Sequence, residues 1–190
     1  MPLTADALLG TLDIYEPADA GERASLGRIR DFVTGSPRAF LRPNPAGHVT
    51  ASAVIAREPG PEFLLLWHRK LNRWLQPGGH VEPSDDSVFA AALREAREET
   101  GIQDFAFPLG DRILDLDVHP IPVHGPDPPH FHYDFRHLFF SRGQSPAPGP
   151  RWFTLDQALA AGVDASLERA LRKASSLLSI GNRQSSIVNS

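Results

Sequence analysis

Hydrophobic residues recur at helical intervals in two stretches near the start of the chain: Leu8, Leu9 and Leu12 within residues 3–14, then Leu26, Ile29, Phe32 and Val33 within residues 19–34. That spacing predicts two helices ahead of the main fold. The proline-rich segment SPRAFLRPNPAG blocks further helix. VTASAVIAR and FLLLWHR then carry the β-branched and aliphatic content of strands, separated by the turn EPGPE. The run SVFAAALREAREET sets Val88, Ala91, Ala92, Leu93 and Ala96 against a charged face. It stops at Gly101, a residue suited to the left-handed conformation that ends helices. Downstream, RILDLDVHPIPV and HFHYDFRHLFF predict strands joined by the loop HGPDPP. Residues 155–180 predict one or two closing helices, and NRQSSIVNS a frayed tail. Strands precede, flank and follow the one strong helix without regular alternation, so the pattern predicts an α+β fold on a mixed sheet rather than a doubly wound parallel one. The expected organisation is a helical extension over residues 1–45, one domain over 46–182 and a flexible tail over 183–190.

Composition narrows the function classes. At 190 residues and 41% hydrophobic content the chain can bury one substantial core. It holds no cysteine, which excludes a disulfide framework, a cysteine-ligated zinc site and a thiol nucleophile, and fits a reducing cytoplasm. The start, MPLTADALLGTLDIYEP, lacks the basic and apolar regions of a secretory signal. No stretch reaches the roughly 20 apolar residues of a membrane span, so the expectation is a cytoplasmic protein with no membrane partner. A net charge of -4 without blocks of like charge gives no footprint for long nucleic acid. Small phosphorylated ligands remain open, because a metal can supply the positive charge.

The strong helix carries the candidate chemistry. Glu95, Glu98 and Glu99 stand at i, i+3 and i+4, which puts three carboxylates on one face. Such a face is either a wetted surface relieved by Arg94 and Arg97, or a site for a hard divalent cation; oxygen ligands suit magnesium. Just upstream, in LQPGGHVEPSDD, Gly78 and Gly79 let the backbone turn sharply and approach a ligand without a Cβ in the way. Strand, Gly-Gly turn, acidic loop and Glu-rich helix together resemble the Nudix box, G-x5-E-x7-R-E-U-x-E-E-x-G-U with U aliphatic. The second half reads Arg94, Glu95, Ala96, Arg97, Glu98, Glu99, Thr100, Gly101, Ile102, with Ala96 in the aliphatic place. The first half departs from the pattern. Counting back from Arg94 lands on Asp86, counting forward from Gly79 lands on Asp85, so the loop holds one extra residue and aspartate replaces glutamate.

The resemblance covers the box from about residue 77 to 102 and more loosely the flanking strands. It implies a mixed β-sheet sandwiched between helices, and Mg2+-dependent hydrolysis of a diphosphate linkage in a nucleoside diphosphate derivative, with Mn2+ as a substitute. By the same resemblance, Glu95, Glu98, Glu99 and the Gly78 carbonyl would hold the metal, which lowers the pKa of the attacking water. Glu99 and Glu95 are both candidates for the base, and Arg94 would hold the box carboxylates in register.

A second reading comes from alternation in HFHYDFRHLFF. His130, His132, Asp134 and Arg136 alternate with Phe131, Tyr133, Phe135 and His137, sending a polar and a largely aromatic set to opposite faces. The aromatic set belongs to a core. The polar set is either solvent-facing or the wall of a ligand cavity, in which Arg136 would meet a phosphate, Asp134 would extend the metal shell, and His132 and Gly79 would line the substrate. His-x-His-x-Asp could also chelate zinc or iron alone, a reading ranked below magnesium because the sequence shows no third-strand partner. His80 reads as a solvated loop residue. His48 and His119 read as structural, and Trp67, Trp74 and Trp152 as packed aromatics rather than base-stacking platforms. Of the rival functions, a catalytically inactive Nudix-like sensor or interaction module would be expected to lose box carboxylates, and all three are present. An isoprenoid diphosphate isomerase needs a cysteine this chain does not have. The helices before residue 45 are compatible with covering the site or with forming a homodimer interface.

Overall fold

The computed structural model describes residues 2–57, 61–123 and 128–188, with side chains placed as far as Ser179. Parts of the expected EPGPE turn and HGPDPP loop, and the end of the expected tail, lie outside the described residues. Along the chain come α1 (Ala5–Asp13), α2 (Ala20–Gly35), β1 (Gly47–Arg57), β2 (Glu62–His68), β3 (Arg73–Leu75), β4 (Gly78–His80), α3 (Val88–Thr100), β5 (Phe105–Ala106), β6 (Ile113–Ile121), β7 (His130–Ser141), β8 (Arg151–Thr154), α4 (Leu155–Ala160) and α5 (Ala165–Val188). Side chains start the helices where the sequence offers them. Thr4, Asp19 and Ser87 cap α1, α2 and α3 by accepting backbone N–H groups of the first turn, and Gly101 at φ 74° ends α3.

β1 is buried along nearly its whole length, as its apolar run demands. It lies parallel to β7 from Gly47 beside Phe131 to Ala56 beside Phe140. Gly47 has φ +133°, and any Cβ there would collide with the Phe131 backbone, so glycine alone lets this pairing begin. β2 and β4 run antiparallel to β1, β5 and β6 antiparallel to β7, and β3 and β8 extend from β2. The sheet is therefore mixed and the class α+β, as the pattern predicts.

Alternation along β1 divides the core in two. Val49, Ala51, Ala53 and Ile55, with Phe135 and Phe139 of β7, pack on Leu8, Leu12, Ile29 and Val33 of α1 and α2 and on Ala91, Ala92 and Ala96 of α3. Val54, Ala56 and Leu138 pack on Leu167, Ala170, Leu171 and Ala174 of α5. Full burial of Phe135 and Phe139 contributes about 1.5–3 kcal/mol each. The N-terminal helices thus share the domain's main core.

The structure departs from the sequence reading in three places. Gly78 and Gly79 form no sharp turn; they lie in an extended strand on β1, Gly79 beside Ala51 and Gly78 beside Ser52. Both need to be glycine because of close approach: a Cβ on Gly78 would meet Ser52, and one on Gly79 would meet the Glu95 carboxylate. Helical backbone continues through the expected tail to Val188, since no proline interrupts it after Ala165. Trp67 is 43% exposed, edge-on to Trp74, because it sits at the solvent end of the β2–β3 hairpin.

β6 pairs with β7 on one side, and its other side is covered by side chains. Tyr15 donates its hydroxyl to the Leu114 carbonyl (3.3 Å), Glu22 accepts the Leu116 N–H (3.2 Å), and Arg169 donates to the Leu116 carbonyl (2.8 Å). An edge strand with free backbone groups invites unwanted pairing, and these three contacts close it. Glu22 is fully buried and also accepts from Lys173 (2.6 Å), the Ala18 N–H (2.5 Å) and the Tyr15 hydroxyl. Burial alone would push its carboxyl up; the donors outweigh that and hold it down to about 2. A depressed carboxylate contributes stability above its unfolded value near 4.5 and loses it as pH falls through about 2. Urea denaturation from pH 7 to 2 is expected to show that Glu22→Gln lowers the midpoint at neutral pH and flattens the acid slope between about 4.5 and 2. Equal slopes in the two proteins would remove Glu22 from this role.

Candidate active site

α3 follows β4 after the acidic loop, and its middle and last turns face the Gly78–His80 backbone through Arg94, Glu95 and Glu99. Ser87 fixes where the helix begins, Gly101 fixes where it stops, and Ala91, Ala92 and Ala96 press one face onto the sheet. Glu95 and Glu99 lie one turn beyond these alanines, against the β4 backbone, Glu98 flanks them toward solvent, and Arg94 holds this acidic group in place. Its guanidinium donates to both oxygens of Asp85 (3.2 and 3.0 Å), to the His80 carbonyl (2.8 Å), to Glu95 (2.8 Å) and to Glu98 (3.3 Å). Such forked, charge-assisted contacts fix geometry as well as charge.

The same contacts settle the loop register. Asp85 is 6% exposed, pairs with Arg94 and accepts the Glu82 N–H (2.8 Å), whereas Asp86 is exposed and accepts the neighbouring Ser87 hydroxyl (3.1 Å). Asp85 therefore fills the place of the box's first acid, and the extra residue lies after it, before the helix. The N-terminus pins this loop as well, through the Leu3 N–H to the Asp85 carbonyl (3.3 Å), a contact no local pattern announces.

The three glutamates differ in surroundings. Glu95 has a side chain 15% exposed, lying against Gly79 in the space a Cβ would fill. Burial pushes its carboxyl up, Arg94 opposes this, and the charges of Glu98 and Glu82 add to the rise. Glu98 projects into solvent beside Arg94. Glu99 is exposed, with one oxygen accepting the Gly78 N–H (2.9 Å); lost hydration and the charges of Glu95 and Glu98 push it up against that bond. Glu95 and Glu99, both with raised proton affinity, and Glu98 beside Arg94 offer oxygen donors that suit a hard divalent cation, and their donor set fits magnesium.

The polar set on β7 is not a phosphate cradle. Arg136 has a side chain only 3% exposed, bonded to Asp134 (3.1 Å), Asp115 (3.2 Å), Asp117 (3.3 Å) and the Ser166 hydroxyl (2.9 Å). Its expected contact with a phosphate is excluded by that enclosure: the pairing of β7 with β6 and the cover of α5 turn the guanidinium into a buried ion-pair hub. Asp134, 1% exposed, accepts from Thr50 (3.0 Å), Ser52 (2.8 Å) and Arg136, so it braces β1 against β7 and cannot extend a metal shell at α3. His137, on the aromatic side, is buried with Nδ1 against the Arg112 carbonyl (3.2 Å), and burial pushes it down to about 4. His132 lies in mid-sheet between His48 on β1 and His119 on β6. Gly79 meets Glu95 rather than open space.

The model of the NUDIX domain matches residues 46–174. An uncharacterized Nudix hydrolase, NudL, of Klebsiella pneumoniae (strain 342) is 36% identical over 122 residues, covering 55% of this chain and 62% of its own length. The match thus spans less than two thirds of that relative. The asymmetrical bis(5'-nucleosyl)-tetraphosphatase of Mus musculus is 49% identical over a 43-residue segment, 22% of this chain and 29% of the mouse protein. Among solved structures, an Ap4A hydrolase of C. elegans is 24% identical at a TM-score of 0.49, covering 68% of this chain and 97% of that one. With the NUDIX domain matching residues 46–174, more than half of the sequence, and Arg94 in mid-helix clamping Asp85, Glu95 and Glu98, the chain belongs to the Nudix family.

Proposed function

We propose that this chain is a pyrophosphohydrolase that cleaves a diphosphate linkage in a small nucleoside diphosphate derivative, with Mg2+ as its cofactor and Mn2+ as a substitute. The observation that carries this reading is the acidic face of α3, intact in all three glutamates and clamped by Arg94. The name of the mouse relative supports a nucleotide-derived substrate. In this reading residues 46–182 form the catalytic domain, and residues 1–45 an extension that supports it through the core and the Asp85 loop.

Glu95, Glu98, Glu99 and the Gly78 carbonyl would hold the metal. When bound, it neutralises phosphate charge and acidifies the attacking water. The residues of the chain then divide the remaining work. Arg94 positions Glu95 and Glu98 and does not reach substrate, since its donors are taken by the loop and the helix. Glu95 is held by the Arg94 guanidinium, while Glu99 meets only the Gly78 N–H through one oxygen. Glu95 and Glu99 are both candidates to accept the proton of the attacking water.

Two tests follow. A panel of nucleoside diphosphate derivatives with Mg2+, scored for phosphate and nucleotide products, is expected to give turnover with the wild-type chain. Glu98→Gln should nearly abolish that turnover while leaving circular dichroism unchanged, and full activity of this variant would refute the assignment. The register assignment is checked separately: Asp85→Asn should cost on the order of tenfold to hundredfold in kcat by loosening Arg94. Asp86→Asn should leave kcat within about twofold, since exposed substitutions seldom disturb structure. The reverse order of effects would place the first box acid at Asp86.

A further inference from the structure

We propose that the sheet face opposite α3 carries a second metal site, formed by His48, His130 and His132, that takes a borderline transition-metal ion of the Zn2+ type. It rests on none of the box carboxylates.

The register builds it. His48 pairs with His132 across the parallel β1–β7 ladder, and His119 pairs with His132 across the antiparallel β7–β6 ladder. Three imidazoles from three adjacent strands therefore stand in one row, and His130 lies two residues along the same face. His80, beside Thr50 on β4, closes the row at its other end. The ring centres lie 4.8 Å apart for His48–His132, 5.0 Å for His48–His130, 5.3 Å for His130–His132 and 5.4 Å for His119–His132. One ring nitrogen from each of His48, His130 and His132 falls within 4.8 Å of the others, and among the described residues this is the group of metal-ligating side chains that converges so closely. Tetrahedral zinc at about 2.0–2.1 Å from each ligand sets nitrogens about 3.4 Å apart, so small ring rotations suffice to close the site.

The surroundings support ligation rather than plain packing. His130 Nδ1 is bonded to the Pro128 carbonyl (2.8 Å) and His119 Nδ1 to Asp117 (2.9 Å), which leaves Nε2 of each ring for the cluster. Outer partners of this kind orient metal-bound imidazoles. His48 is 1% exposed, and burial together with the neighbouring imidazoles pushes His132 well below the ordinary histidine range. A row of leucines would fill this face without desolvating ring nitrogens, whereas a bound ion uses them. Imidazole donors without carboxylate select the Zn2+, Co2+, Ni2+ and Cu2+ group over Mg2+. Nε2 of His119, or a water, would complete the coordination.

The test titrates chelator-stripped full-length protein with Co2+ in a large excess of Mg2+, reading visible absorption and the thermal midpoint. One equivalent of Co2+ is expected to produce a visible band that Zn2+ displaces, and Zn2+ should raise the midpoint because it binds only the folded chain. Glu98→Gln should bind as wild type does. His132→Ala and His130→Ala should weaken binding roughly a hundredfold or more, at the upper end of what loss of even an outer partner costs. His130 lies at the rim of the cluster, so its variant keeps the fold intact by circular dichroism. Absence of a saturable band in the wild type, binding that survives both histidine substitutions, or loss of the site in Glu98→Gln would each overturn the proposal.

Discussion

The arrangement of this molecule's acidic helix depends on one guanidinium. Three glutamates on one helical face repel one another, and in an isolated helix that crowding is destabilising. Arg94 converts it into a positioned set by donating to Asp85, Glu95, Glu98 and the His80 carbonyl together. The same group ties the preceding loop and β4 to the helix, so the place of the carboxylates and the path of the backbone are set by one interaction. What remains uncompensated is the raised proton affinity of Glu95 and Glu99, the part of the electrostatics that a divalent cation would relieve.

The sheet gives that helix its footing and separates two kinds of chemistry. Gly79 and His80 are consecutive on β4, yet strand alternation sends one toward Glu95 of α3 and the other toward the imidazole of His48. The box glutamates gather on the first side and the imidazoles on the second. On the second face, next to the imidazoles, Asp134 braces β1 to β7 through Thr50 and Ser52, and Arg136 links it to Asp115 and Asp117 of β6. Removing one partner from such a buried network is expected to cost about 3–5 kcal/mol, because the remaining charge would be left without compensation. Arg169 and Lys173 of α5 carry the network on to Glu22 of α2, so the N-terminal helices are joined to the sheet by charge as well as by apolar packing.

Local information was legible in the sequence, and non-local information was not. The periods of α1, α2, α3 and β7 could be read directly, because each is long enough for its pattern to repeat, and β1 could be read from its run of apolar and β-branched residues. The box could be read because its residues lie within one loop and one helix. The extended β4 was misread as a turn, since two glycines signal freedom of the backbone and say nothing of a neighbour that requires them. Asp85 and Asp86 could not be ranked by counting; burial against Arg94 distinguishes them. Arg136 looked like a phosphate ligand because alternation shows which face a residue takes and not what stands opposite. For the same reason, His48 and His119 passed as structural: they meet His132 through strand pairings that span 84 and 13 positions of chain, and no local pattern encodes that register.

Binding of a divalent ion by the α3 carboxylates is measured directly by a Mn2+ titration followed by electron paramagnetic resonance. The signal of free Mn2+ should fall on adding the wild-type chain and stay undiminished with the doubly substituted Glu95→Gln, Glu99→Gln chain. Equal loss of signal with both proteins would contradict it.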